Sequence, residues 1–171
     1  MNFFEAVESR YSYRGRYTDA PVPEEDVKKI LDAGMRAPSG CNAQTTYYYA
    51  ITNKDIHQKL IEIFNWDNPF TAPVIIVVAT EKVTFDWGFD CELEDYSAAV
   101  ENMLLAATAL GYASCWYDGS TRMNGNAEKI AALLNVPENL TVRTYMAIGV
   151  PETPGKQASR KPMDERVVWV K

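Results

Sequence analysis

The amino-acid sequence predicts a single domain over residues 1–171, built as a three-layer α/β/α sandwich. Three observations carry this reading. Segments with apolar residues at helical spacing alternate with short segments rich in β-branched and aromatic residues. One of the latter, Val74 to Ala79, is a continuous apolar run behind Pro73 and suits a central strand buried on both faces. A chain of this length buries about 70% of its unfolded surface, which is enough for one core.

The elements follow in order. Asn2 caps a first helix that presents Phe3, Phe4 and Val7 and runs to Ser9. Pro23 and the acidic Glu24-Glu25-Asp26 open a second helix at its positive end; Val27, Ile30, Leu31 and Met35 form its apolar stripe, and Pro38 stops it. Thr46 to Thr52 reads as a strand, and Asn53 caps a helix with Ile56, Leu60, Ile63 and Phe64 on its buried side. After the apolar strand comes an aromatic loop, residues 81–91, with Phe85, Trp87 and Phe89. The longest helix runs from about Glu94 to Leu110, with Gly111 as its C-terminal cap. Tyr112 to Tyr117 is a strand, Glu128 to Leu134 a helix, and Val142 to Val150 a strand. From Pro151 on, Pro151, Pro154, Gly155 and Pro162 break regular structure, yet the chain ends in the strand-like Val167-Val168-Trp169-Val170. This arm has to bury itself against its own sheet or a partner's.

Composition narrows function. The net charge is −6, with 17 Lys and Arg against 23 Asp and Glu. That argues against nucleic-acid binding, which needs clustered cations, and against a polybasic membrane surface. No signal segment or membrane span is evident, so a cytoplasmic protein is expected. Cys41, Cys91 and Cys115 are odd in number and widely spaced, which suits neither a disulfide framework nor a CxxC site. A single histidine, His57, excludes multi-histidine metal sites; its polar-faced helix suggests a surface position. The chain contains no GxGxxG after a strand, no GxxxxGK[ST], no HExxH and no GxSxG.

Four loops remain as candidates for chemistry. In Arg10-Tyr11-Ser12-Tyr13-Arg14, alternation in extended backbone places two guanidinium forks and a hydroxyl on one side, which suits a phosphate or another planar anion. A solvated loop is the plainer alternative. In Pro38-Ser39-Gly40-Cys41-Asn42-Ala43-Gln44, small residues admit a flat ligand while Asn42 and Gln44 offer donors and acceptors; a helix-ending turn would look the same. Trp116-Tyr117-Asp118-Gly119 closes a strand, and its aromatics also suit a core. Arg160-Lys161-Pro162 is a second basic point, or a charged tail. The acidic Asp90 to Asp95 suits a helix start better than a metal. Phe85, Trp87, Phe89 and Trp66 either line an opening or cover the sheet.

Together and in order, these segments resemble the FMN-dependent nitroreductase family. Arg10, Ser12 and Arg14 match its Arg-x-Ser-x-Arg/Lys; Pro38, Ser39, Gly40, Asn42 and Gln44 match its Pro-Ser-[Ser/Ala/Gly]-x-Asn-x-Gln. Ala106 to Gly111 match the end of its long helix, and Arg160 with Pro162 its C-terminal Arg-x-Pro. The resemblance implies the α+β class, a three-layer sandwich with a mostly antiparallel central sheet, a homodimer with the flavin site between subunits, and a C-terminal arm reaching the partner. It implies FMN as cofactor and NADH or NADPH as electron donor. Arg10, Tyr11, Ser12, Arg160 and Lys161 would meet the phosphate and ribityl chain, Arg14 and Asn65 the pyrimidine edge, and Pro38 to Gly40 with Asn42 the ring from the partner side. Trp116, Tyr117, Asp118 and Gly119 would supply backbone near the reactive N5. The implied activity is ping-pong NAD(P)H-driven reduction of a nitroaromatic or quinone, the flavin carrying the chemistry and Arg14 stabilising charge. Alternatives are a flavin-binding or sensing protein without efficient turnover, dehalogenation, or flavin fragmentation. Departures from the family pattern are Gln44-Thr45-Thr46 in place of Gln-Pro-Trp, Asn68 in place of a lysine, and Ala158 where a second basic residue often stands.

Overall fold

The computed structural model describes residues 1–171. Two buried apolar runs, Val74 to Ala79 and Tyr145 to Ile148, set the architecture. β2 (Val74–Glu81) and β4 (Leu140–Gly149) pair antiparallel at the centre of a four-stranded sheet ordered β1-β2-β4-β3. The outer strands are β1 (Thr46–Ile51) on β2 and β3 (Ala113–Tyr117) on β4, both antiparallel to their neighbours.

Side-chain alternation along β2 divides the core. Ile75, Val77 and Ala79 face one layer, and Val74, Ile76 and Val78 the other. The first layer is closed by α3 (Lys54–Phe64) and α5 (Asn126–Leu134) with Tyr13, Tyr17 and Phe70. The second is closed by α2 (Glu24–Met35) and α4 (Glu92–Ala109). α1 (Phe3–Ser9) lies against α4, and its Asn2 cap forms a capping box with Glu5. The three-layer prediction therefore holds, with a fully antiparallel sheet. No helix is long and apolar enough to cross a membrane.

A register shift separates Val78 opposite Thr144 from Ala79 opposite Val142, leaving Arg143 as an extra residue. This bulge turns the Arg143 side chain onto Thr80 Oγ1 at 2.8 Å and Glu92 Oε1 at 3.3 Å, at the start of α4.

Three expectations change. His57 is buried, not superficial: it lies in the first turns of α3, and its Nε2 donates to the Ile51 carbonyl at 3.2 Å. The polar side of α3 concealed this, because the histidine meets a strand end rather than another helix. Met35 leaves the apolar stripe of α2 and is exposed, since Arg36 ends the helix beside it. Residues 158–171 are exposed and form one short 3₁₀ turn, Met163–Glu165, and no strand within this chain.

Burial lowers the His57 pKa, because the protonated ring loses solvent. A histidine with a depressed folded pKa contributes stability above its unfolded value, about 6.5, and that stability is lost as pH falls through and below it. Urea unfolding at pH 7.5 and pH 5 is therefore expected to show a smaller loss of stability in His57→Gln than in the parent protein.

Candidate functional site

The site begins where α1 runs out. Arg10 caps α1 with extended backbone, and the chain then passes β3 at Ser12, bends at Gly15 and bridges Pro151 at Tyr17. Ser12 bridges in parallel to Ser114, and the Tyr13 N–H donates to the Ser114 carbonyl at 3.0 Å. Alternation then sorts the side chains. Tyr13 and Tyr17 enter the core while Ser12 and Arg14 stay exposed. Tyr11 packs edge-on against Tyr13, with ring centroids 6.3 Å apart.

Each cation has its own setting. Arg10 Nε contacts Glu101 Oε1 of α4 at 3.3 Å, which leaves the terminal guanidinium nitrogens free to face an anion. Arg14 has a single weak contact, Nη1 to the Ser12 carbonyl at 3.5 Å. It lies near Cys115, whose thiol is pushed up by burial and drawn back by the Arg14 charge. Asn68 donates to the Arg14 carbonyl at 3.5 Å, so the segment after α3 borders this basic edge. Asn65, the C-cap of α3 at φ 50°, is exposed in the same segment.

β3 supplies the floor. Trp116 meets Tyr96 of α4 edge-on at 6.0 Å, and its buried Nε1 has no partner; nor has the buried Ser114 Oγ. Tyr117 faces the opposite core, stacked on Tyr145 at 4.7 Å, and its hydroxyl donates to the Tyr13 carbonyl at 3.2 Å. Only its backbone is available to a ligand. Asp118 pairs with Arg122 at 2.6 Å, and Gly119 is exposed with open space above it. Arg160 and Lys161 are exposed, with Arg160 donating to the Ala158 carbonyl at 2.9 Å.

The second predicted loop lies at the other edge, leading into β1. Cys41, Asn42 and Gln44 all adopt left-handed backbone, at φ 50°, 57° and 51°. Asn tolerates this; Cys and Gln do so at a cost, so the surroundings must impose it. Asp95, buried in the first turn of α4, imposes it: Oδ1 accepts from the Gly40 N–H and Oδ2 from the Thr45 hydroxyl, each at 2.8 Å. Gly40 is required because a Cβ there would lie 2.7 Å from the Cys91 side chain. Ser39 Oγ accepts from the Gln44 N–H at 3.0 Å. Pro38 is exposed and, with Ser39, Gln44 and Tyr48, borders a cleft of about 220 Å³. Burial pushes the Tyr48 hydroxyl up to about 12, so it stays neutral.

The family model described as "Nitroreductase family" matches residues 7–71 and 62–150 of this sequence. The chain belongs to the nitroreductase family. A protein of Archaeoglobus fulgidus named "Putative NADH dehydrogenase/NAD(P)H nitroreductase" is 35% identical over 141 residues, covering 80% of this chain and 78% of its own. One of the same name from Methanothermobacter thermautotrophicus is 34% identical over 161 residues, covering 91% and 81%. Among solved structures, a nitroreductase with bound FMN from Bacteroides fragilis has a TM-score of 0.81 and 26% identity over 100% of both chains. A BluB-like flavoprotein from Clostridium difficile has a TM-score of 0.87 at 23% identity, which is a likeness of fold.

The structure thus groups Arg10, Tyr11, Ser12 and Arg14 with β3, and sets Pro38, Ser39, Gly40 and Asn42 apart at the β1 edge. Three inter-strand spacings, about 14 Å, separate the two edges, with buried β2 and β4 between them. Sequence reasoning did not name Glu101 and took Asp95 only as part of an acidic helix start, because each acts on a segment fifty or more residues away.

Replacing Asp95 with Ala strands the Gly40 N–H and the buried Thr45 hydroxyl and releases the strain at Cys41 and Gln44. The expected cost is about 3 kcal/mol, read by urea denaturation. Backbone amides from Ser39 to Thr45 should then exchange hydrogen faster than those of β2.

Proposed function

We propose that this chain is an FMN-dependent NAD(P)H oxidoreductase that works as a homodimer, with each flavin held between two copies. The observation that carries the dimer is the separation of the two candidate half-sites. A flat ligand seated on Ser12, Arg14 and β3 has no route to the Ser39–Gln44 loop of the same chain, because two buried strands and their covering helices intervene. A second copy presents its own loop to that ligand without disturbing either core. Exposed apolar residues are available to join the copies: Phe3 and Phe4 of α1 are 64% and 75% exposed, and Val168 and Trp169 of the arm 87% and 75%.

The residues present fit FMN. The free end of Arg10, the Ser12 hydroxyl and Arg160 offer charge-assisted donors to a phosphate. The unpartnered Trp116 Nε1 and Ser114 Oγ, with open backbone at Gly119, lie along the strand that would face the ring system. The B. fragilis relative with bound FMN and the NAD(P)H-linked names of other relatives support this reading. Bound FMN supplies two-electron redox chemistry. The chain's part is to orient and to balance charge. Arg14 would supply a cation to offset the negative charge of the reduced flavin, and Pro38 and Ser39 of the second copy would pack on the ring. Nicotinamide and acceptor occupy the same opening in turn, so kinetics are ping-pong, and the acceptor is a nitroaromatic or quinone.

Purified protein is expected to be yellow and to oxidise NADH or NADPH with menadione or a nitrofuran, giving parallel lines in double-reciprocal plots. Colourless protein that takes up no added FMN overturns the reading. Arg14→Ala should lower the flavin's reduction potential, measured by dye equilibration. Truncation after Pro151 should convert a dimer into monomers that lose flavin; size-exclusion chromatography with absorbance at flavin wavelengths reads both.

A further inference from the structure

The C-terminal segment is not free along its whole length. From Pro151 it runs back over residues 7–17 of the same chain, in reverse order. Pro151 bridges Tyr17, and the Glu152 N–H donates to the Arg16 carbonyl at 3.0 Å. The Thr153 N–H reaches the Tyr13 hydroxyl at 3.4 Å. Gly155 passes so close to Tyr11 that a Cβ on it would overlap the ring. The last tether is Gln157, whose Nε2 donates to the carbonyls of Val7 and Arg10, each at 2.9 Å. Beyond it every residue is exposed, and Arg160 bonds only to carbonyls of its own segment.

We propose that Gln157 is a positioning residue that docks this segment on the end of α1 and thereby holds Arg160 beside Arg10 at the anion-binding end of the site. The chemistry suits the task. The last turn of a helix leaves carbonyls without intrahelical partners, and an amide NH₂ has two protons to give. Gln157 spends both on α1, one of them on the backbone of Arg10 itself. Three residues later stands Arg160, whose Cα lies no more than about 11 Å along the chain from that of Gln157. An arginine side chain covers most of the remaining gap. Tethering the segment here raises the effective concentration of the Arg160 guanidinium at a phosphate already met by Arg10 and Ser12. The inference rests on the FMN reading.

The experiment compares FMN with riboflavin, which lacks the phosphate, by fluorescence titration of flavin-stripped protein. Gln157→Leu should weaken FMN about tenfold, the scale of one lost hydrogen bond to a charged group, and leave riboflavin unchanged. Arg160→Ala should do the same. The double variant should bind FMN no more weakly than either single one, because Gln157 acts through Arg160. Gly155→Val, which drives the segment off Tyr11, supplies an independent route to the same displacement should Gln157→Leu fold poorly. Three results overturn the proposal: unchanged FMN affinity in Gln157→Leu, equal losses for FMN and riboflavin, or losses that multiply in the double variant. A parent protein that binds neither flavin overturns the FMN reading itself, and the inference with it.

Discussion

β2 and β4 carry buried apolar runs, Val74 to Ala79 and Tyr145 to Ile148, and strands of that kind can lie only where helices cover them from both sides. Their pairing therefore occupies the middle of the sheet and sends β1 and β3 to its edges. The placement of the candidate residues follows from that displacement. The segment with Arg10, Ser12 and Arg14 can pass beside β3 because that edge is open, and the Ser39–Gln44 loop lies at the opposite limit because it feeds β1. That separation is the ground on which a site shared between two copies is proposed.

α4 turns this arrangement into a working geometry. Within its first ten residues it holds three separate pieces. Asp95 fixes the strained loop before β1, Tyr96 packs on Trp116 of β3, and Glu101 takes one nitrogen of Arg10. Acidic residues at the start of this helix also complement its dipole, but Asp95 and Glu92 are bound to named partners and are more than a charge run. The strain at Cys41 and Gln44 is tolerated because a buried carboxylate with two donors over-determines the loop.

The central apolar strand, the helix caps at Asn2 and Asn53, and the alternation in Arg10 to Arg14 were legible because each signal is local. Hydrophobic period and capping chemistry act within a few residues, and the structure reproduces them with boundaries shifted by two residues or fewer. His57 was misjudged for the complementary reason. Its burial depends on the Ile51 carbonyl at the end of β1, and a helical period does not report what the helix is packed against. Gln157 stands in a segment without period or motif, so nothing marked it until its two bonds to α1 were visible.

The sequence by itself determined the layers, the order of the elements and the chemistry of the candidate residues. It also carried the family resemblance, because ordered motifs survive where tertiary contacts cannot be seen. Only the tertiary structure decided which candidates meet. It gathered Arg10, Ser12 and Arg14 on β3, removed the Tyr117 side chain to the far core, and laid the segment from Pro151 to Gln157 back over the end of α1. Those outcomes depend on strand order and on contacts between residues fifty to one hundred and fifty positions apart, and no local pattern encodes such separations.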